Sequence, residues 1–306
     1  MKIFTDITQF PKHPVVLTIG NFDGVHKGHQ SVLNRLKQVA ADRHEYKAAI
    51  TFSNHPSQVL RPEQPVKLIT TLSHRLKLFR DQHLDYLLLL EFTKEFSQQS
   101  AEDFLRKMKS YIAFSHLILG HDAALGRDRQ GDSGTITKLS KELGFTVEYL
   151  DEWMANGTQV SSSVIRRCVQ EGDFLKIEQL LGRPYSIMGE VVHGEKQGKK
   201  LGYPTANLDV SQLCLPPLGV YAVTMNYQNK ILKGVANLGI APTMRSNPVP
   251  VLEVHLFQPK DNLYGEQVEV YFQGYIRPEK KFESPEQLRA AIADDVKTAH
   301  RILSTY

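Results

Sequence analysis

The chain has 306 residues, room for two domains of ordinary size, and its 41% hydrophobic and 23% charged content excludes wholesale disorder. A formal net charge of +4 with no long basic run suits anionic small molecules and argues against nucleic acid as a partner. Only Cys168 and Cys214 occur, which excludes a disulfide framework and a cysteine zinc site.

Residues Met1 to Asp6 lack the apolar core of a signal peptide. No apolar run approaches the roughly 18 residues of a membrane helix. The expectation is a cytoplasmic protein with small-molecule substrates, without a membrane or obligate protein partner. Short apolar or β-branched runs at Val15–Ile19, Ala48–Phe52, Tyr86–Leu90, Leu117–Gly120 and Val147–Leu150 predict strands. Helical patterns near 29–42, 72–83, 100–112 and 135–143 lie between them. That alternation predicts an α/β domain around a parallel sheet, with ligands beyond the carboxyl ends of its strands.

Four motifs fall at such ends. The first is Gly20-Asn-Phe22-Asp23-Gly24-Val25-His26-Lys-Gly28-His29. There a strand breaks at glycines and enters an amphipathic helix carrying Val32, Leu33, Leu36, Val39 and Ala40 on one face. Unpaired N–H groups and the positive end of a helix dipole meet at such a turn and receive phosphate. His26 and His29 flank it; as a zinc pair they lack further Cys or His ligands. The second motif is Thr51-Phe-Ser-Asn-His55-Pro56 and the third is Gly120-His-Asp122. The fourth is Val160-Ser161-Ser162-Ser163-Val-Ile-Arg166, where hydroxyls and a guanidinium at a helix start form a polyphosphate clamp.

Asp173 predicts a helix cap, Gly182 the end of that helix, and Gly182-Arg-Pro184 a boundary between domains 1–182 and 183–306. Beyond it, Ser186–His193, Val220–Tyr227, Ile231–Leu238, Val251–Phe257 and Val268–Tyr275 predict strands, with a hairpin turn at Gln228-Asn229. Strands without intervening helices predict a small antiparallel β-barrel. Ser284-Pro285-Glu286-Gln287 starts a final helix whose Leu288, Ile292, Val296, Ala299 and Leu303 form one apolar face for packing on the barrel.

Three features of this half carry chemistry. Gly194 to Gly202 is a glycine- and lysine-rich loop without Walker A spacing. In Gly202-Tyr-Pro204-Thr205-Ala206-Asn207, Thr205 and Asn207 point to one side of an extended segment and offer oxygens to a hard cation. In Val251 to Leu256, Glu253 and His255 share one face while Leu252, Val254 and Leu256 share the other. Taken alone, each also fits a bland surface role.

The first motif resembles the signature of the adenylyltransferase module of bacterial bifunctional riboflavin kinase/FAD synthetases, within the nucleotidyltransferase superfamily. Ser161-Ser162-Ser163-Val-Ile165-Arg166 is similar to that family's second nucleotide motif. Gly202 to Asn207, Pro217-Leu-Gly-Val-Tyr221, Gly234 to Gly239 with Pro242-Thr243, Glu253-Val-His255, Tyr264-Gly265 and Arg277 to Phe282 follow the order of the riboflavin kinase domain. The resemblance implies a Rossmann-like adenylyltransferase domain followed by a β-barrel kinase domain, with riboflavin, FMN and ATP as substrates and Mg²⁺ accompanying ATP. It implies that Gly20, Phe22, Asp23, Gly24, His26, His29, Ser162, Ser163 and Arg166 bind ATP, with the two histidines stabilising charge on the α-phosphate. His55 and Asp122 would stand on the FMN side. In the kinase, Thr205 and Asn207 would hold Mg²⁺–ATP, Gly198, Lys199 and Gly202 would cover the nucleotide, and Glu253 would be the general base. One loop departs from the family. Ala123, Ala124 and Leu125 stand in Gly120 to Gly126 where aromatic residues are usual, so either other contacts hold the flavin or the FAD synthetase step is weakened. A chain active only as a kinase, a silent flavin-binding or regulatory protein, and a nucleotidyltransferase for another substrate are the alternatives.

Overall fold

The computed structural model describes residues 1–155, 157–194, 198, 201–241, 249–258 and 262–304. They form two compact units, 1–68 with 75–164, and 69–74 with 165–306.

The first unit is an α/β layer structure. Its strands are β1 (Lys2–Phe4), β2 (Val15–Ile19), β3 (Tyr46–Phe52), β4 (Tyr86–Leu90), β5 (Phe114–Gly120) and β6 (Thr146–Leu150). They make one parallel sheet in the order β1-β4-β3-β2-β5-β6. The helices are α1 (Lys27–Arg43), α2 (Ser57–Leu60), α3 (Leu72–Asp81, in this unit from Arg75 onward), α4 (Lys94–Ser97), α5 (Ala101–Tyr111) and α6 (Ser133–Leu143). A parallel sheet covered on both faces needs strands apolar on both sides, and β2 is buried throughout. Its Val15, Leu17 and Ile19 join one core with Phe104, Leu105 and Leu139. Its Val16 joins the other, against Leu33 and Leu36 of α1. The chain order reverses at β2, between β3 and β5, and in such sheets the crevice beyond the strand ends at that reversal takes the ligand. β1 went unread in the sequence because three residues carry no period.

After the short hairpin β7 (Met154–Ala155) and β8 (Thr158–Gln159), α7 (Ser162–Glu171) leads to α8 (Phe174–Leu181). The side chain of Asp173 caps α8, and Gly182, in the left-handed region at φ 72°, closes it. The second unit is built on a closed antiparallel barrel of β9 (Ser186–Val192), β10 (Ala206–Asp209), β11 (Gly219–Tyr227), β12 (Lys230–Ala241), β13 (Val249–Leu256) and β14 (Gln267–Arg277). Gln228 and Asn229 both have positive φ, the conformation a two-residue hairpin needs to follow the twist of β11 and β12. β10 is a strand the sequence did not announce, being short, polar and preceded by Pro204. It pairs with β9 on one side and β13 on the other, and so closes the barrel.

The last helix, α9 (Pro285–Leu303), starts as its sequence requires. The Ser284 hydroxyl accepts from Gln287 N at 3.3 Å, and the Gln287 side chain accepts from Glu283 N at 3.3 Å. Its Ala299 and Leu303 pack on Val220, Ala222 and Val235 of the barrel. A fork of hydrogen bonds ties it to β14: Arg277 Nε to Asp295 Oδ1 at 2.8 Å and Nη2 to Oδ2 at 2.7 Å. Asp295 is 5% exposed, so its removal leaves a guanidinium stranded in a mostly buried place. Asp295→Ala should therefore cost about 3 kcal/mol, read as a lower denaturant midpoint at unchanged slope. No described helix is long and apolar enough to cross a membrane.

Candidate active sites

The turn after β2 is where the first unit departs from regular geometry. Phe22 has φ 53°, Gly24 81° and Val25 38°; for a β-branched residue such a φ is a true outlier. Strain of this kind gathers where a ligand must meet the backbone closely. His26 then caps α1: its Nδ1 accepts from His29 N at 3.2 Å. In the neutral ring Nε2 therefore carries the proton. The two imidazoles stack, centroids 3.6 Å apart and planes at 17°. Phe22 packs on His29 from the side at 5.1 Å. His29 Nδ1 is buried without a hydrogen-bond partner among the described residues. Burial, then His26 and Arg75, push the His29 imidazole well below its ordinary value.

Bonds from elsewhere in the unit hold the turn. Gly20 N donates to Ile50 O at 3.1 Å, Thr51 Oγ1 to Asn21 O at 3.2 Å, and Gln30 Nε2 to Val25 O at 2.8 Å. Ser162 Oγ donates to Asp23 O at 3.1 Å, so the fourth motif meets the first. Ser163 is exposed, and Arg166 stands one turn further along α7. Arg75 of α3, which the sequence did not single out, donates to Asn21 O at 2.8 Å and also to Phe52 O. In sequence it is one basic residue of an amphipathic helix, which nothing distinguishes from a solvated face.

His55 and Asp122 are more weakly placed. His55 Nδ1 lies 2.7 Å from Ser57 Oγ and accepts from Ser57 N at 3.1 Å, which fixes the turn into α2. Asp122 is exposed, and its carbonyl accepts from Arg129 at 2.7 Å. The loop that follows is pinned by backbone. Leu125 and Gly131 exchange two hydrogen bonds, and Arg127 N donates to Gln99 O at 2.8 Å. Ala123 and Leu125 pack against the core cluster under the sheet. Ala123 and Leu125 thus serve to pack the loop against that core.

On the barrel, register builds the second site. Glu253 of β13 stands opposite Asn207 of β10 and, on its other side, opposite Asn237 of β12. Directly opposed residues share a face, so one carboxylate and two amides line up across three strands. Leu252, Val254 and Leu256 are buried on the other face, as their alternation requires. Thr205 lies two residues before Asn207, on the same side of the extended segment. His255 Nδ1 donates to Pro204 O at 2.9 Å and its ring meets that of Tyr203, which fixes the approach to Thr205. Asn237 was missed in the sequence because only register shows that it borders Glu253.

The chain passes Asn207 closely at Gly194. A Cβ on Gly194 would lie 2.5 Å from Asn207 Nδ2 and 2.6 Å from its Oδ1. Gly194→Ala must therefore displace that amide. The expected result is a fall in FMN formation of about 10–100-fold, the scale of a misplaced binding group, with the melting temperature little changed. Gly198 is described and its carbonyl accepts from Tyr203 N at 2.8 Å, while Gly202 takes φ 89°. Lys199, Pro242 and Thr243 lie outside the described residues. No group of three or more His, Cys, Asp or Glu side chains placed to hold a metal occurs among the described residues.

Comparison with known proteins follows the same division. Residues 9–164 match the FAD synthetase family and residues 181–303 the riboflavin kinase family. The bifunctional riboflavin kinase/FMN adenylyltransferase of Haemophilus influenzae is 36% identical over 285 residues, 92% of each chain. That of Pseudomonas fluorescens is 36% identical over 295 residues, 95% of this chain and 94% of its own. That of Escherichia coli strain K12 is 33% identical over 296 residues, 96% of this chain and 94% of its own. A crystal structure described as a macrolide-efflux protein from Streptococcus pneumoniae superposes with a TM-score of 0.81 at 26% identity, over 96% of both chains. With both families matched in order on one chain, and with relatives aligned over almost its whole length, the chain belongs to the bifunctional riboflavin kinase/FMN adenylyltransferase family.

Proposed function

We propose that the barrel phosphorylates riboflavin to FMN through Glu253, and that the parallel-sheet unit adenylylates FMN to FAD through His26 and His29. The functional boundary is placed at 182/183, after the left-handed Gly182. Glu253 takes the proton of the terminal ribityl hydroxyl as that oxygen attacks the γ-phosphorus of ATP. The new O–P bond forms, the β–γ bridge breaks and ADP leaves. Thr205 and Asn207 offer a hydroxyl and an amide oxygen, a donor set that fits Mg²⁺, and the absent Cβ of Gly194 leaves the amide its room. Mg²⁺ would arrive with ATP and supply charge neutralisation at the phosphates. Gly198, Lys199 and Gly202 cover the nucleotide.

In the first unit an FMN phosphate oxygen attacks the α-phosphorus of ATP, the α–β bridge breaks and pyrophosphate leaves. No covalent enzyme intermediate is needed. His26 and His29 donate to the α-phosphate as charge develops, and the Gly20–Gly24 turn with Ser162, Ser163 and Arg166 holds the phosphate chain. His55 and Asp122 stand on the flavin side. The protein works in the cytoplasm on small molecules alone.

The observation that carries this reading is the placement of Glu253 in register between Asn207 and Asn237. A mere flavin binder needs no carboxylate there. The test is the product profile of the pure chain with Mg²⁺–ATP, given riboflavin and FMN separately. Riboflavin should yield FMN and then FAD; absence of FMN refutes the kinase assignment. FMN that never becomes FAD confines the error to the first unit.

A further inference from the structure

The turn at 20–26 cannot hold itself. Phe22 and Val25, both at positive φ, each cost on the order of 1–3 kcal/mol unless the surroundings fix them. Several side chains grip its carbonyls, but Arg75 differs from the others. Its Nη1 donates to Asn21 O at 2.8 Å, and its Nη2 donates to Phe52 O at the end of β3. One planar group thus ties the strained turn to the neighbouring strand. Arg75 is 5% exposed, and its Nε is buried with no partner among the described residues. Asn21 Oδ1 is buried and unpartnered in the same sense. Two carbonyls are dipoles, not a counter-charge, and a guanidinium so deeply set is costly without an anion. Burial accordingly pushes Arg75 below its ordinary value, and the carboxylate of Asp23 restores part of it.

We propose that Arg75 is a positioning residue for adenylyl transfer: it clamps the 20–26 turn to β3 and supplies the fixed positive charge in whose field His26 and His29 act. The inference rests on reading this site as the FMN adenylyltransferase centre. Arg75 of α3 and His26 of the turn are the charged and titratable groups that act on His29, and Asp23 acts on Arg75 in turn. Together with burial they keep His29 neutral near pH 7. A neutral imidazole donates a hydrogen bond without changing charge in that range, while the guanidinium, which does not titrate there, provides the lasting positive potential.

Arg75→Gln removes one positive neighbour, so the His29 value rises, while burial and His26 still hold it below its ordinary value. The whole chain is assayed for FAD formation from FMN and Mg²⁺–ATP between about pH 6 and 9, the range that brackets an ordinary histidine. The dispersion of the first unit's amide NMR signals in the same sample reports its folding, and FMN formation from riboflavin reports the barrel. Arg75→Gln is expected to lower kcat for FAD about 100-fold, the scale of lost positioning. It should also raise the titration midpoint of the His29 ring by NMR, with FMN formation unchanged. Arg75→Lys restores the charge and the wild-type His29 midpoint but not kcat, because one ammonium cannot bridge two carbonyls. Wild-type kcat in Arg75→Gln, or in Arg75→Lys should the first variant not fold, overturns the proposal. So does equal loss of both activities in folded Arg75→Lys. Failure of the wild-type chain to make FAD would instead sink the adenylyltransferase reading on which the proposal stands.

Discussion

Glu253→Gln should reduce FMN formation about 10²–10⁴-fold, the range spanned by loss of a general base, while adenylylation of supplied FMN continues at the wild-type rate. The substitution keeps the volume and hydrogen-bonding reach of the side chain and removes only its ability to take a proton. Glu253 is half-buried on β13 with its backbone paired on both sides, so glutamine should leave the barrel intact. The loss should fall in kcat, with KM for riboflavin and ATP nearly unchanged, since the missing interaction belongs to the transition state. Measuring FMN by its fluorescence after separation decides the point. A kcat within the wild-type range would remove Glu253 from the chemistry, and equal loss of both activities in folded protein would refute independent sites.

His29→Ala should do the opposite. FAD formation should fall about 10²–10³-fold, the cost of deleting one preorganised donor to a developing oxyanion, while FMN still forms from riboflavin. The ring has two structural duties as well: it stacks on His26 and packs against Phe22. Its removal therefore also loosens the neighbouring imidazole, and the measured loss covers both. His29→Gln separates the effects by keeping a donor without the stacking surface. Should FAD appear at the wild-type rate in His29→Ala, the α-phosphate role fails.

The pattern of residues made the architecture legible to different degrees. β2 and the start of α1 could be read almost to the residue, because an unbroken apolar run, a glycine turn and a 3.6-residue period each leave a local mark. The same holds for α9, whose Ser284, Pro285 and Gln287 announce its first turn. β1 and β10 could not be read. Each is short, and each is a strand because of its partners rather than its own composition. The sites divide in the same way. His26 and His29 lie in one contiguous motif, whereas Asn237 and Arg75 enter only through pairing and packing across distant stretches. The sequence marks the alanines at 123 and 124 as a departure, but not that Ala123 and Leu125 pack into the core.

The barrel has one feature with a consequence for how it opens. β11 and β12 are joined by nine paired residues in register, yet among the described residues β9 and β10 meet only at Asn207↔Val192 and Leu208↔Val191. The cylinder is thus zipped shut by its shortest ladder, and the stretch from Gly194 to Gly202 joins the two strands that make it. Backbone ladders open most cheaply where fewest bonds must break. Opening of the barrel is therefore expected first at the ladder that contains Asn207, the residue proposed to hold the nucleotide.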